Sequence, residues 1–297
     1  MTVPEGVVAV LKPPGLTSSD VVTDIRRIFG TRRVGHAGTL DPGASGVLLI
    51  CVERATRLFD YIVDKQKEYI AEIAFGAETD TQDSYGTVMR TCDKVVSEEE
   101  IIAVLARFRG EIEQCVPVYS ALNQNGVKLY KLARQGKEIE EKRRKITVHD
   151  IEYLHKTGEN RYLIRVCCSK GTYIRTICHD IGRAVGNCAH MSFLLRTRCG
   201  THTLADAYST AKLKELKEQG RLASAVIPPD KAVAYLPELQ LRDTPKNRRF
   251  FLNGAQLNVN ADDGVYRVYC SGEFLGLGGV NGSTLTVKLV LSRAGDE

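Results

Sequence analysis

Residues 34–46 (Val34-Gly35-His36-Ala37-Gly38-Thr39-Leu40-Asp41-Pro42-Gly43-Ala44-Ser45-Gly46) constrain this chain more than any other stretch. Four glycines, one proline, one histidine and one carboxylate fall within thirteen residues, and the apolar run Val47-Leu48-Leu49-Ile50-Cys51-Val52 follows directly. Glycine serves where the backbone needs positive φ or a close approach, and proline fixes φ and removes a donor. The pattern predicts a shaped loop feeding a buried strand, with Asp41 as its only acidic side chain. Catalytic groups concentrate on loops carried by rigid scaffolds. Taken alone, the segment could equally be a tight connection with Asp41 as an ordinary turn residue.

The rest of the chain predicts an α+β fold. Residues 7–11 read as a strand stopped at Lys12-Pro13-Pro14-Gly15, and Thr17 and Ser18 cap a helix that runs to Phe29 and ends at Gly30. Residues 53–63 read as a helix, 67–75 as a strand and 78–86 as a polar loop. Ser97 to Glu100 form a capping box opening a helix to Phe108, closed by Gly110. A short basic helix is expected over 127–134. Residues 146–154 and 161–168 form a hairpin, 172–185 a helix, 191–195 a strand and 210–218 a helix. Hairpin-type strands mixed with helices favour a largely antiparallel sheet over a βαβ array. After Pro228-Pro229, apolar stretches at 264–270, 273–280 and 284–291 give an all-β pattern. Two domains are therefore expected, 1–228 and 229–297.

Composition narrows the function. No run of about eighteen apolar residues exists, so no membrane span is expected. Nine scattered cysteines without a Cys-x-x-Cys read as reduced thiols of a cytoplasmic protein, mostly small core residues. The six histidines share no metal-ligand spacing with them, so no metal site is expected. No Gly-x-Gly-x-x-Gly or P-loop points to a nucleotide cofactor. The net charge of +5 is unevenly spread. Residues 128–145 carry eight Lys or Arg against three Glu, and residues 165–198 carry six against Asp180 alone. Clustered cations of this kind mark a polyanion footprint.

Several stretches now stand in one order: Lys12-Pro13-x-Gly15-x-Thr17-Ser18; Gly35-His36-Ala37-Gly38-Thr39-Leu40-Asp41-Pro42; Lys67-Glu68-Tyr69; Gly76-x-x-Thr79-Asp80-Thr81-x-Asp83-x-x-Gly86; Pro117-x-Tyr119-Ser120-Ala121-Leu122 through Arg134; and Ser169-Lys170-Gly171-Thr172-Tyr173-Ile174-Arg175-Thr176. Together they resemble the bacterial pseudouridine synthases of the TruB type, which act on the T arm of tRNA. The resemblance spans residue 7 to about 200.

That resemblance implies a tRNA pseudouridine-55 synthase, an isomerase that consumes no cofactor or metal. Asp41 would attack the target uridine as its C–N glycosidic bond breaks, after which the uracil rotates and rejoins through C5. Arg175 would supply the matching charge. Tyr69 would stack on the extruded uracil, its hydroxyl near C5, since a base in a stem-loop must be flipped out to be reached. His36 would enter the RNA, Leu195 would lie against the flipped base, and Lys12, Tyr173 and Lys170 would complete the substrate side. The segment 123–145 would be an RNA-gripping insertion, weakly ordered without RNA, with Lys128, Lys131, Arg134, Arg143 and Arg144 on phosphates. The C-terminal domain would be a small PUA-like RNA-binding module. The tRNA T stem-loop is the expected partner, and a monomer the expected state. Asn123 stands where the family often has lysine, and His202 where an aromatic often follows the glycine. Two other readings remain: a non-catalytic RNA-binding or RNA-folding protein on the same scaffold, and a guide-RNA-dependent relative, which would be expected to carry long added tails.

Overall fold

The structure, a computed structural model, describes residues 3–63, 65–120, 122–124, 126–129, 132, 135 and 140–292. The chain opens with β1 (Gly6–Lys12) and α1 (Ser18–Phe29). Thr17 closes a capping box with Asp20, and Gly30 takes the left-handed conformation that ends the helix. Val21, Val22, Ile25 and Ile28 recur at helical spacing and are buried. Each such side chain contributes roughly 1.5–3 kcal/mol. β2 (Val34–Ala37) and β3 (Ser45–Val52) follow. Residues 53–63 form a 3-10 turn and only then a short α2 (Phe59–Val63), rather than one helix.

β4 (Lys67–Phe75) is central and long. The stretch 78–86, expected as a loop, is partly strand. β5 (Ala77–Thr79) pairs with β6 (Val88–Thr91), and 80–87 forms the tip. α3 (Glu98–Leu105) starts at the Ser97 capping box. Gly110 does not simply close that helix but opens β7 (Gly110–Cys115), where exposed Glu111 and Glu113 alternate with inward Ile112 and Gln114. Charge on the outer face of this edge strand hid it from the sequence pattern.

β8 (Asn123–Gln124) pairs with β9 (Val127–Lys128), so the expected basic helix does not begin at Val127. Lys131 and Arg134 lie outside the described residues, as does the side chain of Lys128. β10 (Arg143–Gly158) begins earlier than expected. Residues 143–145, expected in a weakly ordered insertion, pair with residues 113–115 of β7. Cross-strand ion pairs support the extension: Lys145 meets Glu111 at 2.9 Å and Arg143 meets Glu113 at 3.6 Å. β11 (Arg161–Cys168), α4 (Ile174–Ala184), β12 (Ala189–Cys199), β13 (His202–Thr203) and α5 (Thr210–Glu218) complete the first unit.

Among the described residues these strands build a nine-stranded sheet in the order β1-β3-β12-β4-β11-β10-β7, with β2 paired to β3 and β13 to β12. Every pairing is antiparallel except β12 with β3, which is parallel over two residues. The fold is thus α+β with a mixed, largely antiparallel sheet flanked by helices. After α6 (Pro229–Ala232) come β14 (Glu238–Gln240), α7 (Pro245–Leu252), β15 (Leu257–Asn258), β16 (Gly264–Cys270), β17 (Glu273–Asn281) and β18 (Thr284–Val290). They make a five-stranded sheet, β14-β16-β17-β18-β15, whose core includes Phe251 of α7. Val233, Leu277 and Leu291 from this end pack with Val7, Ala9, Val47 and Leu49 of the first sheet. Apolar contact therefore joins the second unit to the strands beside the Asp41 loop.

Cys92 and Cys188 form a disulfide with Cα atoms 5.7 Å apart, which corrects the expectation of nine thiols. Ninety-six residues separate them, and Gly76 links their backbones, donating to Cys188 O and accepting from Cys92 N–H, both at 2.9 Å. Among the described residues no helix is long and apolar enough to cross a membrane.

Candidate active site

The loop between β2 and β3 is fastened almost residue by residue. From below, fully buried Lys12 donates to the carbonyls of Pro13 (2.9 Å), Pro42 (3.1 Å) and Ala44 (2.6 Å). Gly15 N–H also donates to Pro42 O, at 2.9 Å. Ser18, the first residue of α1, donates through Oγ to Leu40 O (3.1 Å) and accepts from Leu40 N–H (2.9 Å). The motif from Lys12 to Ser18 is therefore the cradle of the Asp41 loop. Lys12, expected on the substrate side, is instead beneath it. Burial pushes its pKa down to about 8, against the pull of the Asp41 carboxylate.

From the other side comes Arg196 of β12, also fully buried. Its guanidinium donates to Val47 O at 2.7 Å and to Thr39 O and Gly38 O, both at 3.3 Å. The parallel step of the sheet makes this possible, with Leu195 opposite Ser45 and Arg196 opposite Gly46. A side chain on Gly46 would place its Cβ 2.2 Å from Arg196 O, and Gly46 has φ 115. Only glycine lets the two strands approach here. The sequence reading missed Arg196 as a site residue. Strand 189–199 also carries Arg198, His190, Ser192 and Thr197, so nothing in its sequence singles Arg196 out.

With carbonyls 38, 39, 40, 42, 44 and 47 held, the Asp41 side chain is what the loop presents. Its carboxylate pairs with Arg175 Nε at 2.9 Å, and its side chain is 37% exposed against 5% for Arg175. The acid is reachable while its partner is not. Arg175 sits in the first turn of α4 and is used on every side. Nη1 donates to Thr81 O (2.8 Å) and lies 3.7 Å from Asp83 Oδ2, and Nη2 donates to Tyr119 O (3.0 Å). A planar guanidinium with five donors suits this fixed array. The hairpin tip 80–87 is thus part of the site. Asp83 accepts from Thr81 Oγ1 (2.6 Å) and from Tyr85 N–H (3.0 Å), and Gln82 accepts from Thr176 of α4 at 2.7 Å. Gln114 of β7, also missed by the sequence reading, accepts from Tyr173 N–H (2.8 Å) and donates to Tyr173 O (3.0 Å). It fixes the start of α4.

Tyr69 of β4 lies opposite Arg196 in the sheet and is buried. Burial pushes its hydroxyl up to about 12, partly offset by the positive charge of the nearby Arg196 guanidinium. Leu195 is half-buried, opposite Ile70 as well as Ser45. His36 is a half-buried residue of β2 opposite Ile50. Tyr173 caps α4 and Lys170 is exposed one turn before it. Arg144 donates to Gly171 O at 3.0 Å, which ties β10 to this edge. Arg143 is exposed and paired with Glu141 at 2.8 Å. Asp41, Arg175, Tyr69, Leu195 and Lys12 therefore converge on one loop, while Arg143, Arg144 and Lys170 lie along the edge formed by β10 and the segment before α4.

Comparison with known proteins gives one pattern. Residues 26–174 match the model for the TruB family pseudouridylate synthase N-terminal domain, and residues 175–234 match that for the tRNA pseudouridylate synthase B C-terminal domain. The chain is 44% identical to a tRNA pseudouridine synthase B of Pelotomaculum thermopropionicum over 80% of its length and 77% of the relative's. It is 38% identical to the protein of the same name from Caldanaerobacter subterraneus subsp. tengcongensis over 96% and 98%. Among solved structures, an H/ACA RNP bound to a substrate RNA containing 2'-deoxyuridine superposes with a TM-score of 0.73 at 28% identity, covering 98% of this chain and 86% of that one.

Proposed function

The chain belongs to the TruB family of pseudouridylate synthases, and from that premise we propose that it isomerises uridine 55 in the T arm of tRNA to pseudouridine. Pseudouridine synthases are isomerases, and the atoms balance without a second substrate. The bond from ribose C1′ to N1 breaks and a bond from C1′ to C5 forms. The hydrogen at C5 leaves as a proton, and N1 takes one up.

The observation that carries this reading is the Asp41–Arg175 pair, a reachable carboxylate held by a buried guanidinium on a loop whose backbone is anchored from three sides. Asp41 is the group that attacks the uridine and later departs. Fixing it before the substrate arrives removes reorganisation from the reaction itself. Arg175 orients the carboxylate, and Asp83, Thr81 and Tyr119 orient Arg175. Tyr69 offers a ring to the flipped uracil. With its hydroxyl pushed up to about 12, it meets the base as a neutral phenol. Leu195 lies beside the same base, and His36 reaches toward the RNA from β2. Lys12 acts through the loop rather than on the substrate. Tyr173, Lys170, Lys128, Lys131, Arg134, Arg143 and Arg144 serve the RNA side, where cations on phosphates supply salt-dependent affinity. The five-stranded C-terminal sheet adds RNA contact in the manner of a PUA-like module.

The test is incubation of purified protein with an unmodified tRNA transcript and no other protein or RNA, followed by mapping of pseudouridine. One pseudouridine at position 55 is expected. A requirement for a guide RNA, or modification outside the T arm, would contradict the reading.

A further inference from the structure

Tyr85 sits at the tip of the hairpin between β5 and β6 and is 75% exposed. Its ring nevertheless rests on the Asp41 loop. A Cβ built on Gly43 would fall 2.1 Å from Tyr85 Cε2 and 2.8 Å from both Cζ and the hydroxyl oxygen. Gly43 is not among the glycines with positive φ. What its missing side chain provides is room for this ring. The ring is anchored through its backbone too, since Tyr85 N–H donates to Asp83, the carboxylate beside Arg175. Tyr85 therefore spans the two halves of the site, two residues from Asp83 and packed against the glycine two residues after Asp41. Val88 and Met89 of β6, the next strand, are also exposed, at 54% and 67%.

A large aromatic left open to water beside a reactive carboxylate is poised to meet a planar partner. RNA that lays a uridine over Asp41 must bring its flanking nucleotides past this rim. We propose that Tyr85 stacks on a nucleobase flanking the flipped uridine and so holds the RNA strand in place over Asp41. The proposal rests on the RNA-modifying function above. Tyr85 is a binding residue for the RNA, with no part in breaking or making the glycosidic bond.

The experiment uses the full chain and a T-arm RNA, comparing wild type with Tyr85→Ala, Tyr85→Leu and Tyr85→Phe. Loss of one base–aromatic stack is expected to raise KM for the RNA by about 5- to 150-fold in the Ala variant. Leu, which keeps bulk over Gly43 but not the aromatic face, follows Ala, and Phe restores the wild-type value. The loss falls more on KM than on kcat. RNAs carrying an abasic nucleotide at each position flanking the target are then tried in turn, and one of them should erase the difference between wild type and Tyr85→Ala. Equal KM values for wild type and Tyr85→Ala would overturn the proposal. So would a Phe variant as impaired as Ala, or a difference that persists on every abasic RNA. Wild-type turnover on the intact RNA keeps these outcomes separate from a failure of the functional reading, because an inactive wild type would sink that reading first.

Discussion

Replacing Arg196 with methionine tests the idea that the Asp41 loop is held from β12. Methionine is long, apolar and adaptable, so the perturbation is mainly the loss of the guanidinium. That group serves three carbonyls, Val47 O in a buried bond at 2.7 Å and Thr39 O and Gly38 O in part-buried bonds at 3.3 Å. An unsatisfied buried acceptor costs about 1–3 kcal/mol, and the two longer bonds belong at the low end. Removing the buried cation also removes its desolvation penalty, which offsets part of the sum. A net loss of about 2–4 kcal/mol follows. With a urea slope of about 3 kcal/mol per M, the unfolding midpoint falls by about 1 M. Activity falls further than stability alone requires. Gly38 and Thr39 precede Asp41 and Val47 follows it, so their release frees the carboxylate on both sides, and misplacement by about 1 Å can cost about 100-fold. The assay is single-turnover release of tritium from C5 of uridine in tRNA, run well below the denaturation temperature of the variant. A slower rate in folded Arg196→Met supports the clamp. A variant with the wild-type rate would refute it, whatever its urea midpoint.

Two further outcomes follow from the same geometry. Lys12 titrates near 8 in the fold against about 10.5 when unfolded, so between those values the unfolded chain binds more protons and stability rises with pH. Urea unfolding of wild type should gain on the order of 2 kcal/mol relative to Lys12→Met between pH 7.5 and pH 9.5, and a constant difference across that window would rule out the buried ammonium. Thiol titration of the denatured, unreduced protein should find the seven free cysteines, 51, 115, 167, 168, 178, 199 and 270, and a count of nine would exclude the Cys92–Cys188 bridge.

Much of the architecture was legible because it rests on local chemistry. Thr17 and Gly30 bound α1, Ser97 opens α3, and the hairpin of β10 and β11 shows its alternation and its turn. What stayed hidden depends on pairing across the chain. β7 alternates charged and inward residues only because its outer face is an edge, and β2 is too short to show a period. Residues 143–145 look like solvated charge until Glu111 and Glu113 of β7 pair diagonally with Lys145 and Arg143. The same division holds at the site. The family motifs pointed to Asp41, Tyr69 and Arg175, and the fold brings them to one loop. Arg196 and Gln114 act on backbone groups, and such roles leave no spacing to read, whereas Asp83 stood in a family motif without a role assigned to it. Lys12 shows the reverse case, since a lysine in a motif invites a substrate role that burial beneath the loop denies it.

The most direct measurement is tritium release from C5 of uridine in a tRNA transcript by Asp41→Asn, with RNA binding titrated on the same preparation. Asparagine keeps the size of the side chain but cannot attack as a carboxylate. The account predicts no release above background while the variant still binds the RNA about as tightly as wild type. Release at a rate approaching wild type would show that Asp41 does not carry the reaction.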